Sequence, residues 1–563
     1  MSDYGTAVNA ADYAYTDIPD EDKARILKAL PDVAQAQTST ERRLLVFNLH
    51  IREGEVMTGH PSVPYFNFAF QEMGRKTGAY TVTFGNDPKM LRKEFLEQFD
   101  AIVFNNTAGI LTEDPELQWG LLDYVWSGGG FVGVHAAGAT FCQWPDYDIF
   151  PEFGEMLGGF ENGGHPWKPH EWINLKMDDP DHPVAYAFGG ENFDVSDEVF
   201  QFSEPYSRER LRVLMSIDTK RTDMDPARRI LPERLADGDI AISWVKRYGR
   251  GDVFYSSLGH NVPLAWDEKV LQHYLDGIQF ALGDLPAPTT PSAKLSPAKE
   301  AQEQLGWRLG IEAYTFKDLT LFDAIDQVKD LGLAYTGGWN RQAVSKDIQK
   351  PLAPGLTTQE LRQIRSKLVM SGVSMLTYFH FDLPRDETEC RKIFEFAQQL
   401  GVEVILSEPK VENLDLIEKL CEEYRIKVGL HNHGKRLSPV YADPKKLLQA
   451  CEGRSPLIGA AVDFGYWVRE GVDPIEGLEL LGDRVISLQV HDLDTLTAEA
   501  KDVPWGTGKI QLDAILEYFA KSGIQPVMFG LEYSRDWGKS LPAIRQSIDW
   551  FDDQTLELAR DAD

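Results

Sequence analysis

Basic residues are scarce in this chain: 57 lysines and arginines stand against 88 aspartates and glutamates, a formal net charge of −31 over 563 residues. A surface of that sign repels phosphate backbones, which excludes nucleic acid as an expected partner. Cysteine is nearly absent. The four that occur, Cys142, Cys390, Cys421 and Cys451, share no CxxC or other metal spacing, so neither a disulfide framework nor a zinc ribbon is expected. No uninterrupted apolar run reaches the roughly 18 residues that a membrane helix needs. The opening stretch MSDYGTAVNAADYAYTDIPDEDK also lacks a basic region followed by an apolar one. A cytoplasmic protein with no membrane partner is the resulting expectation.

What is present is a globular composition, 43% hydrophobic and 26% charged, in a chain longer than one core usually supports. Residues 284–304, DLPAPTTPSAKLSPAKEAQEQ, are rich in Pro, Ala, Ser and Thr without a hydrophobic period, which is linker chemistry. The expected organisation is an acidic N-terminal arm at 1–40 with one short helix, an α/β domain at 41–283, the linker, and a second α/β domain at 305–563. The arm is a candidate contact to a partner subunit in a homo-oligomer.

The 41–283 region opens with the buried-strand run RRLLVFNLHI and continues with AYTVTFG, FDAIVFNNTAG and FVGVHAAG, the last fed by the helix-like PELQWGLLDYVWSGGG. This alternation predicts a doubly wound parallel sheet with helices on both faces. The passage GVHAAG puts His135 where hydrolases and amidotransferases place a nucleophile on a strained elbow, but His135 is neither Ser nor Cys, so that chemistry is not expected. GGHPWKPHEW supplies His165 and His170, SDEVFQF supplies Asp197 and Glu198, and GDVFYSSLGHN supplies His260 beside Asn261. Singly, each reads as a satisfied polar core group. Together they resemble the trehalose-utilisation (ThuA-like) family, with its strand ending GVHAA, its GG-x-HP segment, its DE-x-F element and its final YSSLGH strand. The resemblance covers roughly 42–283 and implies a class I glutamine amidotransferase-like fold, a carbohydrate context, and a site formed by His135, His165, His170, Glu198 and His260.

Two nucleotide readings fail on geometry. Gly128 to Gly130 precede a strand, whereas a dinucleotide fingerprint must follow one and open a helix. WGTGK at 505–509 lacks the gap and the hydroxyl residue of a phosphate loop.

The 307–545 region parses into eight strand and helix pairs, the strands being RLGIEAYTF, LAYTGGW, VSMLTYFHF, VEVILSEP, IKVGLHNHG, IGAAVDFG, VISLQVHDL and PVMFGLEYS. About 240 residues with that alternation predict a (β/α)₈ TIM barrel. Four successive apolar runs end in a ligand-type residue: GLHNHG at 429–434, AAVDFG at 460–465, SLQVHD at 487–492 and MFGLEY at 528–533. Strand ends meet only in a closed barrel, and neutral imidazoles with carboxylates suit a divalent cation. A buried, unpaired Asp463 would be costly, so metal or hydrogen-bond duty is the economical reading. Alternation places His431 and His433 on one face with Asn432 opposite, and Glu408 ends the fourth strand.

These residues resemble the xylose isomerase-like barrel superfamily, the sugar phosphate isomerase and epimerase group, over about 307–545. The resemblance implies a divalent metal, manganese first and Mg²⁺, Co²⁺ or Zn²⁺ as alternatives, on Asp463, His491 and Glu532. Pro504 to Gly508 match the loop before the last helix and strand. The chain departs from the family's ENH-like fifth strand with HNH, and from DxGH with DFGY, which places Tyr466 last. HNH-bearing barrels resemble keto-inositol dehydratases and enzymes that cleave 3-keto-glycosides. The expectation is a metal-dependent carbohydrate-catabolic enzyme that enolises a keto-sugar and expels a β-leaving group. A sugar isomerase or epimerase on the same metal and a non-catalytic sugar-binding protein are the alternatives. Metal ligands are expected among Asp463, His491, Glu532, His431 and Glu408, and proton transfer is expected from His433, Glu532 and His431. Sugar contacts are expected at Trp339, Tyr378, His380, Tyr466 and Trp505.

Overall fold

A computed structural model describes residues 10–38, 40–143, 148–162 and 164–562. The chain divides into two compact units, 1–293 and 294–563.

The first unit is built on a nine-stranded sheet. Its parallel part runs Gly251–Ser256, Gly130–Val134, Ala101–Asn105, Arg43–Phe47 and Thr81–Gly85. Ala101–Asn105 and Gly130–Val134 are buried along their whole length, which is why they read as continuous apolar runs. Beyond Gly251–Ser256 the sheet continues antiparallel through Ala241–Tyr248, Arg212–Ile217, Trp172–Met177 and Phe193–Ser196. The purely parallel expectation is therefore corrected for this half. The chain reverses there through a tight turn at Gly249, whose φ of 62° suits glycine.

The expected arm is part of this unit. Its predicted helix forms at Asp20–Ala29, and Ile18, Ile26, Ala29 and Leu30 join the unit's apolar core. Lys76 Nζ donates to the Leu30 carbonyl at 2.8 Å, and Asn67 Nδ2 to that of Ala14 at 2.8 Å. Residues 1–9 and 39 lie outside the described residues.

The second unit is a closed eight-stranded parallel barrel: Leu309–Ile311, Tyr335–Trp339, Ser374–Phe379, Val404–Ser407, Lys427–His431, Ile458–Asp463, Val485–Val490 and Phe529–Leu531, the last pairing with the first. Helices follow the strands as the periodicity predicts, and several start at side-chain caps. Thr357 and Glu360 form a reciprocal capping box for Thr358–Ser371. The C-terminal end of the segment expected to be a plain linker is instead a helix, Pro297–Gln304, capped by Ser296. Its Gln302 Nε2 donates to Asp552 Oδ1 of the last helix at 2.6 Å and its Lys299 Nζ to the same oxygen at 3.3 Å, so a short apolar stripe and two polar tethers suffice where no long period was visible. All four cysteines are buried and free. No helix among the described residues is long and apolar enough to cross a membrane.

Candidate functional site

Each barrel strand delivers its last residue, or the next one, to one end of the barrel, and there the polar side chains meet. His431 ends the fifth strand, Asp463 the sixth; His491 follows the seventh and Glu532 the eighth. Asp463 Oδ2 lies 3.7 Å from His431 Nε2 and 3.6 Å from His491 Nε2, and Glu532 Oε1 lies 3.9 Å from His491 Nε2. Asp463, His491 and Glu532 each offer one ligand atom within 4.8 Å of the others.

The far nitrogens of the two rings are fixed by carboxylates. His491 Nδ1 sits 2.6 Å from Asp502 Oδ1, and His431 Nδ1 sits 2.8 Å from Glu408 Oε1. Both Nε2 atoms are buried without a hydrogen-bond partner among the described residues. Two imidazoles oriented by outer carboxylates, with unpartnered nitrogens aimed at two further carboxylates, are a donor set that fits a divalent cation. Electrostatics agree. Burial alone would lower His431, but Asp463 and Glu408 outweigh it and push it up to about 10. His491 is likewise driven well above its ordinary value, against burial, by Asp502 and Asp463. Asp463 is held far down by His491 and His431 although burial opposes this. The cluster calls for positive charge, which protons on the two imidazoles or a bound cation would supply.

Around these four the remaining expected residues separate. Glu408 does not line the cavity; its Oε1 takes Nδ1 of both His431 and His433, and with these two imidazoles it forms a second group in the barrel that could hold a metal ion. Burial would raise Glu408, but those two imidazoles outweigh it and hold it near about 2. Asn432 faces away from both histidines, as alternation requires, and exchanges two hydrogen bonds of 2.9 Å with the Asp463 backbone. Trp339 and Tyr466 line a cavity of about 880 Å³ together with His433 and the ligand cluster. Tyr378, His380 and Trp505 do not line it. Tyr378 is one residue off the inward face and gives its hydroxyl to the Leu352 carbonyl at 2.9 Å. His380 turns Nδ1 to the Asp382 carbonyl at 2.7 Å, and Trp505 packs edge-on against Trp550. The WGTGK loop has another job: Asp492 takes the backbone N–H groups of Gly508 and Ile510 at 2.8 and 3.2 Å, and a Cβ on Gly508 would strike it at 2.1 Å.

Residues the sequence reading missed also line the cavity: Glu312, Tyr314, Phe379, Gln489, Asp502 and Trp537. Glu312 follows the first strand and carries the same signal as Glu532, a carboxylate closing an apolar run. Burial, reinforced by the charge of Glu532, pushes it up to about 8. Its carboxylate occupies space left by two glycines, for a Cβ at Gly337 or Gly530 would lie 2.6 Å from it.

In the first unit the chain brings together His135, Glu198 and His260, and adds His60, which carried no sequence signal. His165 Nδ1 lies 3.2 Å from Glu198 Oε2 at the exposed edge, whereas His170 is exposed and is not one of the four. Burial lowers His135 to about 4, although Glu198 opposes it. Burial likewise pushes Asp197 up to about 7 against the pull of backbone N–H groups.

Comparison with known proteins follows this division. Residues 44–281 match the family model described as trehalose utilisation (ThuA), and residues 325–554 match that of the xylose isomerase-like TIM barrel. Solved structures similar to parts of the chain include an uncharacterized protein from Parabacteroides distasonis, at 27% identity over 44% of this chain and 98% of that one, TM-score 0.37. An IolI protein with a bound zinc atom is similar at 18% identity over 44% and 98%, TM-score 0.36, and a D-tagatose 3-epimerase-like protein at 18% over 44% and 98%, TM-score 0.34. No curated protein matches the chain.

Proposed function

We propose that this chain, which joins a ThuA-family domain to a xylose isomerase-like TIM barrel, is a divalent-metal-dependent enzyme of carbohydrate catabolism that enolises a keto-sugar in the barrel and eliminates its β-substituent. The observation that carries this reading is the pair of orphaned Nε2 atoms of His431 and His491, aimed at Asp463 and the floor of the cavity. His431, Asp463, His491 and Glu532 hold the ion. The chemistry a divalent ion would supply there is Lewis acidity toward a sugar carbonyl and its neighbouring hydroxyl, with countercharge for an enediolate.

The protein's own groups do the rest. His433 Nδ1 is committed to Glu408, so its Nε2 carries the lone pair and takes the proton from the carbon beside the carbonyl. Glu408 then stabilises the imidazolium that forms. Glu532, steadied by Gln489 Nε2 at 3.0 Å, is the second proton-handling group, at the end of the eighth strand. Tyr466, edge-on to His433 at 4.8 Å between centroids, and Trp339 offer flat faces to the C–H surface of a sugar. A cavity of about 880 Å³ sits high in the ordinary ligand range of about 300–1,000 Å³. That room favours a glycoside, a keto-sugar ring with its leaving group still attached, over a lone monosaccharide. Manganese suits the mixed nitrogen and oxygen donor set.

The test is mass spectrometry of the products after the Mn²⁺-loaded protein is incubated with glycosides and with their 3-keto forms. Elimination releases an aglycone or water. An isomer of unchanged mass would replace this reading with epimerisation, and no turnover of either class would reduce the barrel to a binding module.

A further inference from the structure

The four side chains gathered in the first unit have a geometry that their hydrogen bonds do not explain. His135 Nδ1 lies 2.9 Å from the Ser257 carbonyl, which only accepts, so Nδ1 carries the hydrogen and Nε2 presents a lone pair. His260 Nδ1 lies 3.1 Å from Asn261 Oδ1. The amide nitrogen of Asn261 donates to the Pro169 and Ser196 carbonyls, so Oδ1 is the atom facing the ring, and His260 Nε2 is a lone pair as well. Both lone pairs point at Glu198: its Oε2 lies 3.7 Å from His135 Nε2 and 3.5 Å from His260 Nε2. Acceptors thus face acceptors with no hydrogen between them. His135 Nε2, fully buried, and His60 Nδ1 have no hydrogen-bond partner among the described residues.

Those separations are what a shared cation produces. Two ligand atoms about 2.0–2.1 Å from a tetrahedral ion stand about 3.4 Å apart. The four groups are also held from behind. Asp197 takes the backbone N–H groups of Gly259 at 2.7 Å and Asn261 at 2.8 Å, tying the loop of His260 to the residue beside Glu198. Ser62 donates to the Gly259 carbonyl at 2.7 Å and so tethers the loop of His60, while Tyr255 donates to the His135 carbonyl at 2.7 Å. His135 itself keeps a left-handed backbone, φ 42°, a conformation retained only where the surroundings enforce it. His60 borders a cavity of about 550 Å³ that also holds His165, Glu161 and Phe200.

We propose that the first unit carries its own transition-metal site, with His60, His135, Glu198 and His260 as ligands and a further coordination position open to that cavity. Three imidazoles and one carboxylate make a more nitrogen-rich set than the barrel's two and two, so the site takes Zn²⁺, Co²⁺ or Ni²⁺ in preference to Mn²⁺ or Mg²⁺. The open position suits water or a small hydroxyl- or carbonyl-bearing molecule.

The test uses the full chain with the barrel cluster disabled by Asp463→Asn and His491→Gln. Stripped with chelator and dialysed against Zn²⁺, this protein should retain about one equivalent by elemental analysis, the ion being held through deprotonated ligands. Co²⁺ in its place should give visible absorption of a low-symmetry, nitrogen-rich centre. Adding Glu198→Gln or His260→Gln should abolish both signals, and adding Asn261→Ala, which frees the His260 ring, should weaken Zn²⁺ binding by roughly 10–100-fold. Absence of bound Zn²⁺ and of the Co²⁺ spectrum in the barrel-disabled chain overturns the proposal whether or not the further variants fold. Unchanged metal content in a folded Glu198→Gln variant overturns it equally.

Discussion

Asp502 Oδ1 stands 2.6 Å from His491 Nδ1, while the opposite nitrogen of the same ring lies 3.6 Å from Asp463. The carboxylate therefore selects the tautomer that offers Nε2 to the cluster. Asp502→Asn keeps the shape and loses that selection. Mn²⁺ affinity measured by titration calorimetry should fall roughly 10–100-fold, and an unchanged affinity would show that Asp502 does not orient the ligand.

His433 and Glu408 separate proton transfer from metal binding. His433→Gln should retain the metal and lower kcat by about 10²–10⁴, the ordinary contribution of a positioned acid or base. Glu408→Gln should impair both, because its oxygen serves His431 as well as His433. Metal content and kcat, read in parallel on the two variants, check this pattern.

The glycines around Glu312 predict unequal responses to an added methyl group. At Gly530 a Cβ would lie 2.6 Å from the Leu488 carbonyl oxygen as well as from Glu312, whereas at Gly337 it meets the side chains of Glu312 and Thr377, each at 2.6 Å. Either alanine should destabilise by about 1–3 kcal/mol. Glu312→Ala should relieve the loss at Gly337, where the obstacle moves, and leave most of it at Gly530, where backbone remains. Thermal unfolding of the two double mutants decides this.

Asp276, in the buried helix Glu268–Ala281, gives a stability signature in pH. Burial pushes it up to about 7, from an ordinary value of 3.8, against its hydrogen bonds to Gln272 and Gln35. The folded state thus favours the neutral acid, and stability from this group is full below about pH 4 and lost as pH rises through about 7. Asp276→Asn should match the parent near pH 4 and exceed it at pH 8 by a few kcal/mol, each pKa unit being about 1.4 kcal/mol. Parallel melting curves across that window test it; a constant offset at all pH values would sink the assignment.

The barrel was legible because its strands are short apolar runs closed by polar residues, and the closure that brings His431, Asp463, His491 and Glu532 together follows from fold alone. Glu312 obeys the same rule and was overlooked on the first strand. Tyr378, expected as a sugar contact, alternates with Phe379, and Phe379 is the one of the two that lines the cavity. His60 sits in a loop of Gly and Pro with no period, and only the tertiary fold brings it to His135 and His260. The antiparallel half of the first sheet was hidden for a different reason. Strands such as Arg212–Ile217 are buried on both faces, so their apolar runs look the same in either direction.

The paired 2.9 Å hydrogen bonds between the Asn432 amide and the Asp463 backbone extend the sheet by one artificial rung, just past the last true pairing of the fifth strand. The spacing of neighbouring donor atoms is thereby inherited from the scaffold and needs no ion to set it. Chelation should leave the pocket's shape intact, and refilling should proceed at encounter speed, with no slow rearrangement to wait for.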